Sequence, residues 1–262
     1  MTALGIISSL LATIAFGLGP HRSLLGQVAT TPPPDTVYLS PTLTVTALAE
    51  GVYVHTSYLA FGKISVPCNG LLVVDGGASL AVDSPPTEAA AAELVAVAAQ
   101  QLAAPLAGLV VNHFHDDCLG GLAALHRLGI PTYASARTQA LAAADTSVAE
   151  LPRATFRDSL RLRVGGREVL TVYPGPGHTH DNTVSYLPDA GVLFGGCLVK
   201  AAGGTRGNLA DADTARWSDT AREVARRFPA ARIVVPGHGP PGGRELLAYT
   251  AELFAGDAPA GG

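Results

Sequence analysis

The chain has 262 residues, 48% of them hydrophobic, and a formal net charge of -4. That length accommodates one large domain or two small ones with a sizeable apolar interior. The charge argues against nucleic acid and anionic membrane as partners, because neutralising phosphates takes clustered Lys and Arg, and the two lysines, Lys63 and Lys200, stand apart.

The first 19 residues are uncharged, with an apolar core of secretory-signal length but no basic lead, and a Pro-, Thr- and Ser-rich stretch follows to Asp35. Residues 1–35 therefore read as an export signal and flexible lead-in, which predicts a periplasmic or secreted protein. An uncleaved anchor is the alternative, weakened by Ser, Thr and Gly in a segment barely long enough to span a bilayer. Beyond it TLTVTAL, VYVHTSY, GLLVVD and SLAVD read as strands of a meander. Ser84, Pro85 and Pro86 start a helix that runs to about Leu102, with Leu94, Val97, Ala98 and Leu102 on one face. GLVVN is a buried strand, the loop HFHDDC sits at its carboxyl end, and the glycines after it begin a helix through Leu128. The second half repeats this order loosely. LRLRV, VLTVYP, TVSYLP and VLFGG precede a helix from Asp213 to Phe228, then comes the strand ARIVVP and a last helix from Arg244. Strands followed by helices, twice and without a linker, predict an α/β fold of the αββα kind: two mixed sheets face to face, helices outside, one domain over residues 36–262.

His113, His115 and Asp117 alternate in VVNHFHDDC, and in an extended segment alternate side chains share a face. Imidazole and carboxylate are ligands zinc accepts, so the cluster reads as a metal site. GPGHTHDN, with His178 and His180, GGCLVK, with Cys197 and Lys200, GNLADAD, with Asn208, and VVPGHG, with His238, add further donors in glycine-flanked loops. Together they suffice for two tetrahedral zinc ions sharing a water. The three cysteines, Cys68, Cys118 and Cys197, cannot all pair, so at least one is expected to ligate metal. Asp83 and Asp211 are candidates to orient ligands, or plain turn and cap residues.

In order and spacing, HFHDD, GPGHTHDN, GGCLVK, GNLADAD and VVPGHG resemble the metallo-β-lactamases of class B, first subclass, from about Leu43 to Phe254, and VYVHTSY, PTYAS and PGHGPPGG look especially like its VIM-type group. The resemblance implies two Zn2+, one held by His113, His115 and His178 and the other by Asp117, Cys197 and His238. His178 is preferred over His180 because it occupies the GxGHTxDN position. It also implies a β-lactam substrate whose carboxylate meets Lys200, with Asn208 polarising the lactam carbonyl and the hairpin around Phe61 folding over the bound molecule. Asp117 and Asn208 are then the catalytic residues. The expected reaction is hydrolysis of the lactam amide of penicillins, cephalosporins and carbapenems by a metal-bound hydroxide without an acyl-enzyme, conferring antibiotic resistance. A serine route fails on reading, because an SxxK motif would need serine at Ala60 or Cys197. The rivals are another hydrolase of the same superfamily, such as a glyoxalase II or lactonase, and a non-catalytic zinc-binding protein. Once the signal is removed, no stable membrane association is expected, and the protein is expected to be a monomer. Cys118 follows Asp117 directly and is expected to sit beside the second zinc, with the alternation aiming it away from the metals.

Overall fold

The computed structural model describes residues 35–257. The predicted export signal thus lies outside the described residues, apart from Asp35. Strands β1 (Thr36–Leu39), β2 (Leu43–Ala49), β3 (Val52–Phe61), β4 (Ile64–Asp75) and β5 (Ala78–Val82) form an antiparallel meander. After helix α1 (Glu88–Gln100) the chain adds β6 (Leu106–Val110) parallel to β5. Two short helices, α2 (Asp116–Leu119) and α3 (Leu122–Arg127), lead to β7 (Thr132–Ser135), and α4 (Ala136–Ala144) leads to β8 (Ala154–Phe156), both strands parallel additions that complete an eight-stranded mixed sheet. The second sheet has five strands in the order β13-β12-β11-β10-β9, from β9 (Ser159–Val164), β10 (Arg167–Val172), β11 (Val184–Leu187), β12 (Val192–Gly196) and β13 (Ile233–Pro236). Helix α5 (Thr214–Arg227) crosses between β12 and β13, which are parallel, and α6 (Glu245–Leu253) follows.

Alternation along the strands builds the layers. Val52, Val54, Leu71, Val73, Leu80, Val82 and Val110 of the first sheet meet Val169, Val192, Phe194 and Val235 of the second in one buried cluster between the sheets. Their sequence neighbours point the other way: Leu72, Ala81 and Leu109 pack under α1 and α3, while Leu193 and Val234 pack under α5 and α6. Strands covered on both faces read as continuous apolar runs, which is why GLLVVD and VLFGG lack a polar stripe. The αββα sandwich expected from the sequence is the observed architecture. No helix among the described residues is long and apolar enough to cross a membrane.

Capping sets the main helices. Thr87 accepts from the Ala90 amide at the start of α1, and Asp213 from the Arg216 amide at the start of α5. The glycine pair after the motif loop has a packing cause: a Cβ at Gly120 would lie 2.1 Å from the Pro86 carbonyl oxygen, and one at Gly121 would lie 2.4 Å from the Ala91 Cβ. Only glycine lets α3 lie this close to the start of α1. The sequence reading missed β1, β7, α4 and β8, and it left β4 starting at Gly70, although β4 pairs with β3 out to Ile64 opposite Phe61.

Candidate metal centre

The carboxyl ends of the parallel strands β5, β6, β12 and β13 gather at one end of the sandwich, and the motif loops leave from them. Such ends are where open α/β sheets place ligands, because loops from neighbouring strands converge there. The Nε2 of His113 lies 3.2 Å from the Nδ1 of His115, which lies 3.2 Å from the Nε2 of His178. The Sγ of Cys197 lies 3.2 Å from the Oδ2 of Asp117 and 3.3 Å from the Nε2 of His238. The two groups adjoin through Asp117, whose Oδ1 is 3.5 Å from His113.

The backs of the rings fix which nitrogen faces inward. His115 uses Nε2 toward the Oδ2 of Asp211 at 2.9 Å, and His238 uses Nδ1 toward the Pro67 carbonyl at 2.7 Å. A neutral imidazole that donates from one nitrogen offers a lone pair at the other, so His115 presents an acceptor to the cluster, and His238 does so once a metal displaces its Nε2 proton. Burial keeps His113 neutral, with its pKa pushed down to about 3, and holds His178 well below the usual range. Burial works against the Asp117 carboxylate as well, yet His113 and His238 beside it hold its pKa below the ordinary carboxylate range. The same Asp117 overcomes the burial of His238 and raises its pKa to about 10. Burial and the neighbouring Asp117 raise the Cys197 thiol. Three converging imidazole lone pairs beside a buried carboxylate and thiol are a donor set that fits divalent zinc.

Asp117 reaches this place differently from the sequence reading. It sits in the first turn of α2, with His115 as N-cap, so the extended alternation ends at His115. The helix turns Cys118 as well. Its Sγ is 3.1 Å from the Nδ1 of His113 and within 4.8 Å of a carboxylate oxygen of Asp117, so it stands between the back of the His113 ring and the Asp117 set. Beneath it Asp83 adopts a left-handed backbone with φ of 62°, accepts from the Asn112 amide at 2.7 Å and gives its carbonyl to the His55 ring. Burial raises the Asp83 pKa to about 8.

His178 joins the cluster, whereas His180 is exposed and lines a small cleft with Phe114, Leu141 and Asp211. Lys200 lies at the rim with its Nζ 4.9 Å above the Trp217 ring, and burial lowers its pKa. A Cβ at Gly207 would lie 3.5 Å from that Nζ, which puts Asn208 on the same rim. Asn208 is exposed, and its Oδ1 accepts from the Ala210 amide in a local turn. Phe61 is 72% exposed at the tip of the β3–β4 hairpin, beside Ile64. Sequence reasoning gave Cys68 no role, yet its Sγ, a donor atom of His238 and one of Asp117 lie within 4.8 Å of one another. The residue pattern VPCNG carried no signal for this, since the contact depends on β13 lying against β4.

The "Metallo-beta-lactamase superfamily" model matches residues 65–238. Among curated relatives, the chain is 37% identical over 219 residues to "Metallo-beta-lactamase type 2" of Bacteroides fragilis, covering 83% of this chain and 87% of the relative. To the protein of the same name from Bacillus cereus it is 35% identical over 214 residues, covering 81% and 83%. A metallo-beta-lactamase from Pontibacter korlensis superposes with a TM-score of 0.78 at 37% identity, covering 82% of this chain and 99% of that one. The metallo-beta-lactamase FIM-1 from Pseudomonas aeruginosa, in its mono-zinc form, gives 0.77 at 36%, covering 84% and 98%.

Proposed function

We propose that this chain, which belongs to the metallo-beta-lactamase superfamily, hydrolyses the amide bond of β-lactam antibiotics at a centre of two zinc ions. The observation that carries the reading is the pair of adjoining donor groups, each with three side chains, bridged by Asp117. His113, His115 and His178 hold one zinc, and Asp117, Cys197 and His238 hold the other. When bound, the ions supply a water acidified enough to attack at neutral pH and a positive field for the charge that develops on the lactam.

The chain's own groups supply the rest. Lys200 presents a point charge to the substrate carboxylate, and its place over Trp217 limits where that carboxylate can sit. The Asn208 NH2 donates to the lactam carbonyl oxygen as it gains charge, an interaction worth most in the transition state. Asp117 faces both donor groups through its two oxygens, and its Oδ1 takes the proton released as water attacks and passes it to the departing lactam nitrogen. Phe61 and Ile64 at the hairpin tip cover the apolar part of the substrate and exclude water. No serine nucleophile is needed, so no acyl-enzyme forms.

The test is hydrolysis of a chromogenic cephalosporin by the purified protein, abolished by a chelator and restored by zinc. Metal-dependent hydrolysis of a thioester or lactone with the cephalosporin left intact would move the chain to another activity of the superfamily.

A further inference from the structure

We propose that Cys68 is a fourth protein donor to the second metal, so that this ion is held by two thiolates, Cys197 and Cys68, together with Asp117 and His238. The proposal rests on the two-metal reading above. Cys68 is buried, and its Sγ lies within 4.8 Å of donor atoms of both Asp117 and His238. Donors that share one tetrahedral zinc at bond lengths of about 2.0–2.3 Å stand roughly 3.3–3.8 Å apart, so a shift of about 1 Å at the thiol brings the grouping to a coordination shell.

The surrounding backbone holds the thiol there. Pro67, just before Cys68, accepts at its carbonyl from the His238 Nδ1 at 2.7 Å. Asn69, just after it, donates its amide to the Gly237 carbonyl at 2.8 Å and its side-chain NH2 to the carbonyls of Pro236 at 3.0 Å and Gly239 at 2.8 Å. Both neighbours of Cys68 are therefore stitched to the loop that carries His238, which fixes the strand against the second donor group. The thiol donates to the Val66 carbonyl at 3.3 Å, a weak contact given up readily, and is also within hydrogen-bonding reach of the His238 ring. On ligation the S–H bond breaks, the proton leaves to water, and the sulfur lone pair forms the bond to the metal.

Cobalt(II) loaded in place of zinc reports thiolates directly through sulfur-to-metal charge-transfer absorption, independently of catalysis. In the full chain, Cys68→Ser and Cys197→Ser should each lose about half of the wild-type band, and the double variant should lose all of it. X-ray absorption at the zinc edge of the wild type should find on average about one sulfur per zinc in the two-zinc protein, and this needs no variant. A full band in Cys68→Ser with none in Cys197→Ser, or about half a sulfur per zinc, overturns the proposal. A wild-type protein with no charge-transfer band at all would instead sink the metal-centre reading, and this proposal with it.

Discussion

Asp211 offers a measurable test of how the site is held. Its Oδ2 stands 2.9 Å from the Nε2 of His115, whose other nitrogen faces the three-histidine group. Replacing Asp211 with alanine removes the acceptor that fixes this ring's orientation and makes its inward lone pair more basic. Losing such a partner typically weakens a metal site 10- to 100-fold, or about 1.4–2.7 kcal/mol. The Asp211 side chain is 46% exposed, so water screens the pair and can replace the lost acceptor. The expected loss is therefore near the low end, about tenfold. Asp211→Asn keeps an oxygen acceptor and should lose less. Competition for zinc against a chromophoric chelator reads both variants. If Asp211→Ala binds its first zinc as tightly as the wild type, or loses only the second, then Asp211 does not position His115.

Lys200→Ala should raise KM for a carboxylated cephalosporin by an amount equivalent to about 1–3 kcal/mol with little change in kcat, because a contact remote from the reacting bond acts alike in ground and transition states. An unchanged KM would contradict the assignment. Because burial lowers the Lys200 pKa, wild-type KM should begin to rise at a lower pH than an exposed lysine would produce, which a KM profile on the alkaline side checks. For Asp83, burial raises the folded pKa to about 8 from an ordinary carboxyl value near 4, so the folded state binds the extra proton. Its contribution to stability is full below about pH 4 and is lost as pH climbs through about 8. In chelator-stripped protein, Asp83→Asn should flatten that part of the urea-midpoint curve. Parallel curves for the two proteins would show that Asp83 does not titrate in this window.

The strands of the sandwich core were legible because each is short, apolar and bounded by Gly, Pro or charge, and α5 was legible from its Asp213 cap and the buried Trp217, Ala221 and Val224 stripe. The donor loops were legible because zinc chemistry restricts residue types so narrowly. What failed to show is non-local. The strands β7 and β8 have four and three residues, and they exist through pairing with β6 and with each other, which no local period encodes. The Ala-rich α4 buries only Thr138 and Ala142, too little to give a helical stripe. The extended reading of HFHDD stopped short at Asp117 because α2 begins at Asp116, and that helix in turn places Cys118 against His113. The position of Cys68 depends on bonds to residues about 170 positions away, beyond any motif.

The β3–β4 hairpin turns through Gly62 and Lys63 alone, with Gly62 at φ of 60° and Phe61 directly opposite Ile64. A glycine with positive φ at the first of two central positions is the pattern of a type II′ turn, which matches the twist of the strands it joins. The arm can therefore be lengthened only in paired steps: one residue added to each strand carries the tip outward while each cross-strand pair keeps its partner. A single added residue has no such place. It must either bulge or slip one strand, and a slip sends Phe61 and Ile64 to opposite faces. One residue added to each strand also turns Phe61 and Ile64 together to the other face, so reach and facing are uncoupled only when each strand grows by two.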